Sequence, residues 1–209
     1  RYYASDVTIP NSVTSIKSGT FSECSNLTNI TIGNSMTNIN KSMFSGCSAL
    51  TNISVSPSNT KYDSRNDCNA IIETSTNTLI AGCKNTIIPN SVTAINEYAF
   101  IGCRGLTNID ITNNVTSIGT YAFAGCTGMK SVVIPNSVTT IGDYAFSNCY
   151  LVSEQLTNNS TLPISDTWGI TLCDEETNEG LLIKDNVAVK YRYYASDVTI
   201  PNSVTSIKS

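Results

Sequence analysis

The chain has 209 residues, a formal net charge of −4 and 13% charged residues, about half the share of an average protein. It contains no stretch of about 18 apolar residues and no cluster of lysine and arginine, so we expect neither a membrane-spanning segment nor nucleic acid as a partner. Histidine is absent, which removes the commonest general base and the usual partner of a catalytic serine or cysteine. We therefore expect a protein that is not an enzyme and that holds no metal or cofactor.

One apolar pattern, in which two isoleucines, a phenylalanine and a cysteine keep fixed distances, recurs along the chain. In residues 132–149 it consists of Ile134, Ile141, Phe146 and Cys149. The equivalent sets are Ile9/Ile16/Phe21/Cys24, Ile32/Ile39/Phe44/Cys47, Ile88/Ile95/Phe100/Cys103 and Ile111/Ile118/Phe123/Cys126. Within uninterrupted stretches the sets are 23 residues apart. A fixed period in the twenties predicts a solenoid, in which each coil is stable only against its neighbours.

The predicted coils are residues 7–29, 30–52, 86–108, 109–131 and 132–151. Each begins with alternating apolar and polar residues, such as Ile30-Thr31-Ile32, which predict a strand that the next proline or glycine ends. Val13 and Ile16 then return the chain in a very short second strand. The AF-x-x-C segment predicts one helical turn with its phenylalanine and cysteine fully buried. The fold class is thus mainly β, and the first strands should line up as one parallel, concave sheet.

Two longer gaps interrupt the period, at about residues 61–83 and 165–192. In the first, residues 68–83 predict two strands around a turn at residues 75–77, and hence a protruding β-hairpin. The second predicts strands at residues 168–173, 181–184 and 187–190. An acidic loop at residues 174–179 and a tight turn at Asp185 and Asn186 connect these strands.

The blocks of the form L-T-x-I-x-I-P-x-x-V-x-x-I-x-x-x-A-F-x-x-C resemble the BspA-like, or Treponema-type, leucine-rich repeat. The resemblance covers the five coils and part of a sixth near the end of the chain. It implies a right-handed parallel-β solenoid. It also implies a secreted or cell-surface location and a role in adhesion or protein binding.

Five cysteines share one position of the repeat, namely Cys24, Cys47, Cys103, Cys126 and Cys149. Successive coils lie about 4.8 Å apart, which would permit disulfides, but parallel inward side chains predict a buried, reduced column of thiols. Cys68 and Cys83 flank the first hairpin and are predicted to lie opposite each other or one position off. A disulfide between these two residues is therefore an open alternative.

The outward positions of the first strands form a candidate protein-binding face, which comprises Asn29, Thr31, Asn52, Ser54, Asn108 and Asp110. A second set near the insertions offers candidate contacts, namely Tyr62, Asp63, Arg65 and Trp168. For Asp63 and Arg65 a salt-bridged turn is favoured over a site. For Trp168 an anchor in the core is favoured over an exposed contact.

Residues 1–18 recur without change as residues 192–209. We interpret residues 1–209 as one solenoid segment from a longer array with a superrepeat of 191 residues, although a trivial duplication of one end would give the same pattern. The leading hypothesis is a non-enzymatic surface protein that binds a protein of a host or a neighbouring cell. The alternative is a structural stalk or fibre in which copies of the chain stack end to end.

Overall fold

The computed structural model describes residues 4–176, 181–184, 187–191 and 200–207. It confirms a mainly β solenoid of about seven turns with two inserted regions. The strands are Asp6–Thr8, Ser15–Ile16, Asn29–Ile32, Asn38–Ile39, Asn52–Val55, Tyr62–Asp63, Ala70–Glu73, Thr78–Gly82, Ala94–Ile95, Ser117–Ile118, Val132–Ile134, Thr140–Ile141, Tyr150–Val152, Leu156–Asn158, Thr171–Cys173, Glu175–Glu176, Leu181–Lys184, Val187–Tyr191 and Ser206–Ile207. The 3-10 helices are Arg65–Asp67, Ser153–Gln155 and Asp166–Trp168. The predicted turn at Asp185 and Asn186 and the last part of the acidic loop lie outside the described residues.

The first wall is the face built from the first strand of each coil. Its strands form two parallel sheets, one of Asp6–Thr8, Asn29–Ile32 and Asn52–Val55, the other of Val132–Ile134 and Leu156–Asn158. A bridge between Asp110 and Val133 extends the second sheet by one coil. The prediction of one continuous sheet is therefore wrong. The first insertion separates the two parts, because the N–H of Ile87 donates to the carbonyl of Cys68 at 3.0 Å instead of to a neighbouring coil.

The second wall contains the two-residue strands predicted around Ile16 and its equivalents. Ser15–Ile16 pairs in parallel with Asn38–Ile39. The other members form a six-stranded sheet in the order Thr140–Ile141, Ser117–Ile118, Ala94–Ile95, Thr78–Gly82, Ala70–Glu73 and Tyr62–Asp63. The hairpin of residues 70–82 is thus part of this wall, since Leu79 lies opposite Ile95 in a parallel pairing.

The prediction that the first hairpin protrudes is wrong. Ile71, Ile72 and Leu79 have no exposed surface. Successive residues of the hairpin point to opposite faces, and both faces are covered: Ile72 packs into the core of the later coils and Ile71 into that of the earlier coils. A strand buried on both faces reads as a continuous apolar run, and this is what the segment AII shows.

The third wall carries the phenylalanines and cysteines, and it consists of hydrogen-bonded turns instead of the predicted helical turn. Tyr98 has a positive φ of 61°, which interrupts a right-handed helix. The N–H of Cys103 closes a turn on the carbonyl of Phe100 at 3.0 Å, whereas the N–H of Phe100 donates to Ala122 of the next coil at 2.7 Å. The backbone N–H groups of alternate residues therefore donate within the turn and to the next coil.

The third walls of the coils at residues 30–52 and 86–108 meet directly, although the first insertion separates these coils in sequence. Lys41 forms an ion pair with Glu97 across this junction. The backbone of Gly102 lies so close to Gly46 that a β-carbon on Gly102 would come within 2.7 Å of the Gly46 nitrogen. The insertion therefore replaces part of one coil without ending the solenoid.

The second insertion forms the predicted strands, except that Trp168 ends a 3-10 helix instead of beginning a strand. Thr171–Cys173 pairs in parallel with Tyr150–Val152. Glu175–Glu176, Leu181–Lys184 and Val187–Tyr191 then form an antiparallel group. Ser206–Ile207 pairs in parallel with Val187 and Ala188, the same relationship that Ala94–Ile95 has with Thr78 and Leu79 of the first hairpin.

Candidate binding surface

Four of the six predicted face residues come together on the first sheet of the first wall. Asn29 lies opposite Asn52, and Thr31 lies opposite Ser54 with their hydroxyl oxygens 3.0 Å apart. Asn29 also donates to the carboxylate of Asp6. Hydrogen bonds from Ser5 and Asn29 hold the pKa of the Asp6 carboxyl below its ordinary value. The result is a polar, hydrogen-bonded and solvent-accessible strip.

Asn108 and Asp110 lie on the other part of the first wall, beyond the first insertion. Both are exposed. Ser131 donates to the side-chain oxygen of Asn108 at 2.8 Å, and Asp110 bridges Val133 through the backbone. The structure thus divides the predicted face into two groups, because the insertion lies between Ser54 and the later coils.

A groove of about 300 Å³ borders the first group, and the sequence did not predict it. Its lining comes from the strand Asn52–Val55 and from the start of the insertion, and comprises Asn52, Ile53, Ser54, Val55, Ser56, Pro57, Asp63, Ser64, Arg65, Asp67 and Asn69. The groove joins Asn52 and Ser54 to Asp63 and Arg65, which were predicted as separate candidates. Only the packing of the insertion against the sheet brings these residues together.

Asp63 and Arg65 form the predicted salt-bridged turn. Arg65 donates from Nε to Oδ1 at 2.8 Å and from Nη2 to Oδ2 at 2.6 Å, a two-pronged geometry that carboxylates favour. Its Nη1 donates to Asn77 at the tip of the hairpin at 2.7 Å. Partial burial raises the pKa of the Asp63 carboxyl, but hydrogen bonds from Arg65 and Thr74 outweigh it and lower that pKa. The pair therefore fastens the hairpin and leaves no free guanidinium for a ligand.

Tyr62 and Trp168 are buried. Tyr62 is therefore not available as the candidate contact, and Trp168 is the core anchor that the sequence favoured over an exposed contact. Tyr62 lies 23 residues after Ile39 and takes the isoleucine position in the coil that the first insertion interrupts. This distance of one period is the signal in the sequence that could have predicted its burial. Trp168 takes the phenylalanine position in the coil after that of Phe146. The N–H of Phe146 donates to the carbonyl of Trp168 at 2.8 Å. Each fills a place that the repeat provides for a large apolar side chain.

Four of the five cysteines that share the repeat position are buried free thiols, namely Cys47, Cys103, Cys126 and Cys149. Each thiol of Cys126 and Cys149 donates to the phenylalanine carbonyl of the preceding coil, at 3.3 and 3.2 Å. Cys24 is exposed and contradicts the prediction. Among the described residues its coil, residues 7–29, packs against the coil of residues 30–52.

Cys68 and Cys83 are both buried free thiols, so the alternative of a disulfide between them is not realised. The register shift between Ile71 and Ile72 places Ala70 opposite Gly82, and the two cysteines are consequently one position out of line. Cys68 packs into the core of the later coils and Cys83 into that of the earlier coils. The hairpin backbone separates the two sulfur atoms.

Two further features at the surface were not among the predicted candidate contacts. Tyr98, Tyr121 and Tyr144 stack in a column on the third wall, with ring centroids 5.4 and 5.1 Å apart. On the first wall Ile87 and Val133 are 70% and 46% exposed. Each feature recurs at one position of the repeat, the tyrosines in successive coils and Ile87 and Val133 in coils two apart, and this recurrence is the signal that the sequence contains.

Across the described part of the chain, no three side chains of histidine, cysteine, aspartate or glutamate come together as metal ligands. The same residues include no helix with the length and apolarity that a membrane span requires.

The fold and the stacked coils define a leucine-rich-repeat solenoid. A model of the BspA type leucine rich repeat region matches residues 2–81 and 80–167 in six copies, and the chain belongs to this family. No functionally curated protein matches the chain in sequence.

Two solved structures share the fold over nearly the whole chain. A leucine-rich repeat protein from Eubacterium ventriosum is 21% identical, with a TM-score of 0.61, over 97% of this chain and 62% of its own. The pneumococcal vaccine antigen PcpA is 16% identical, with a TM-score of 0.56, over 98% of this chain and 62% of its own. The chain thus spans about three fifths of the length of either protein.

Proposed function

We propose that the chain is a non-enzymatic, secreted or cell-surface protein that binds another protein through its first wall. The observation that carries the proposal is a continuous strip of polar side chains, which runs from the exposed Thr31 and the half-buried Ser54 into the adjoining groove of about 300 Å³. Interfaces of this kind use many modest contacts over a large area, and a solenoid supplies such an area because every coil adds a strip. Proteins with leucine-rich repeats generally act through protein interactions.

Two observations support a location outside the cell. The chain belongs to a family of bacterial surface-type repeat proteins, and one similar fold is that of a vaccine antigen. Reduced, buried thiols are compatible with such a location, since burial protects them from oxidants.

Paired arginine substitutions test the face. Thr31→Arg places a bulky charge on the first wall, and Thr140→Arg places the same group on an exposed position of the second wall. Both variants should keep the wild-type melting temperature. On an array of purified extracellular proteins, we expect the wild type and Thr140→Arg to bind the same partners and Thr31→Arg to lose them. Equal binding by both variants would contradict the choice of this wall.

A second candidate is a structural stalk built from stacked copies of the superrepeat. The repetition of the sequence supports it, because residues 192–209 repeat residues 1–18 without change. The pairing of Ser206–Ile207 with the second hairpin repeats the arrangement at the first hairpin, so a further coil would stack without a change of geometry. Electron microscopy of the full-length parent separates the candidates: filaments favour the stalk, and discrete particles favour the binding protein.

A further inference from the structure

We propose that Ile87, Asp110 and Val133 form a contact patch for an amphipathic helix of a partner protein, one that carries a basic side chain between two apolar ones. The inference rests on the proposed function, because it names the kind of partner that part of the first wall accepts. The three residues occupy one position of three successive coils, with Asp110 in the middle.

The patch has an apolar component that no packing among residues 4–176 explains. In other coils its position holds hydroxyl side chains, namely Thr8, Thr31, Ser54 and Thr157. Ile87 and Val133 leave 70% and 46% of their surface in solvent instead. Two apolar residues repeated at one outward position resemble the apolar centre of a protein interface surrounded by polar groups.

The charge of the patch selects the chemistry of the partner. The carboxylate of Asp110 is exposed and has no hydrogen-bond or ion-pair partner among the residues that the structure describes. Asp67, at the nearby groove, is also an exposed acid, whereas the guanidinium of Arg65 is paired with Asp63. A lysine or arginine of a partner could therefore pair with Asp110 between the two apolar contacts, and the patch has no basic side chain of its own that would compete.

The spacing of the coils favours a helix over an extended strand. Parallel strands lie about 4.8 Å apart, so Ile87 and Val133, two coils apart, are separated by about 9.6 Å along the solenoid axis. A helix advances about 10.5 Å over seven residues and presents i, i+3 or i+4, and i+7 on one side. Same-side residues of a strand lie about 6.6 Å apart, which fits the coil spacing poorly.

An open depression of about 430 Å³ begins at Asp110 and Val133 and continues to the corner of the coils. Its polar lining includes Asn90, Asn113 and Asn159. Amide side chains can donate and accept hydrogen bonds, so they suit the polar flank of a helix seated on the patch.

The probe is a fluorescein-labelled, alanine-based helical peptide with leucine at positions i and i+7 and lysine at i+3. Anisotropy titrations measure its affinity for the protein and for Ile87→Thr, Val133→Thr and Asp110→Asn. The threonine variants introduce a residue that the same position holds in other coils, so the fold should be retained. Asp143→Asn and Ile164→Thr remove an exposed acid and an exposed isoleucine elsewhere and are the matched controls.

We expect each patch variant to weaken binding about tenfold, which corresponds to about 1.4 kcal/mol, and the two controls to bind like the wild type. A peptide with glutamate in place of lysine should bind at least tenfold more weakly. Failure of the lysine peptide to bind, or binding that the patch variants leave unchanged, overturns the inference. If Thr31→Arg still abolishes partner binding on the protein array in that case, the proposed function stands while the inference fails.

Discussion

The ring of Phe100 lies directly on the bare α-carbon of Gly82. A β-carbon at Gly82 would come within 2.1 Å of the Cε1 atom of Phe100. The N–H of Gly82 also donates to the carbonyl of Ala99 at 2.9 Å. In other coils the N–H of a phenylalanine forms the equivalent hydrogen bond to the next coil. This contact holds the first hairpin in the solenoid, and it exists only because residue 82 has no side chain.

Gly82→Ala should therefore destabilise the protein by about 1–3 kcal/mol, the usual cost of an overpacked core. Urea denaturation followed by circular dichroism measures the change. The double variant Gly82→Ala with Phe100→Leu should lose less than the sum of the two single variants, because the smaller side chain makes room. Additive losses would mean that the ring and the glycine do not share this space.

Phe123→Ala should cost about 3–5 kcal/mol, because its ring has no exposed surface and stacks between Phe100 and Phe146. Phe21 occupies the same repeat position but is only partly buried, contrary to the prediction that every such phenylalanine is fully buried. Phe21→Ala should accordingly lose clearly less free energy of unfolding. If urea denaturation gave equal losses of unfolding free energy for the two variants, the position of the phenylalanine in the stack would not determine its contribution to stability.

Thr112→Pro should stabilise the protein by about 0.4–1 kcal/mol. Thr112 takes the corner that proline holds in other coils, and its turn is the same: Val115 N donates to Thr112 O at 3.0 Å, as Val92 N does to Pro89 O at 2.9 Å. The Thr112 hydroxyl is shielded from solvent and has no partner among the described residues.

Proline would remove this unpaired hydroxyl and restrict the unfolded chain. Calorimetry should show a higher melting temperature, and Thr112→Val, which removes only the hydroxyl, should give a smaller gain. A lower melting temperature for the proline variant would exclude a shared corner conformation.

Alkaline pH should unfold the protein through its thiols. Burial raises the pKa of Cys47 and of Cys103 to about 12, from an ordinary value of 9.0. Above about pH 9 the unfolded state loses these protons and the folded state keeps them. The free energy of unfolding should then fall by up to about 1.4 kcal/mol per pH unit for each thiol, until the folded pKa is reached.

Urea midpoints between pH 7 and 10.5 measure this dependence. Cys103→Ala should show a shallower decline because one such thiol is gone. Identical slopes for wild type and Cys103→Ala would contradict the role of the buried thiols.

The amino-acid sequence alone determined the stacking of the regular coils. Because each copy has the same length, the pairs that meet are 23 residues apart, and the structure has Asn29 opposite Asn52 and Ser117 opposite Thr140. The burial of Phe123 and of Cys126 follows from the same repetition. Periodicity is sufficient to predict this stacking because a side chain at a repeated position contacts the equivalent side chain of the next coil.

Only the tertiary structure decided the places where the period breaks. Leu79 pairs with Ile95, and Arg65 reaches Asn77, through packing between segments that share no repeat. The exposure of Cys24 likewise depends on which coil covers it and not on its place in the pattern. The environment of such residues is set by their neighbours in space, and local spacing carries no information about those neighbours.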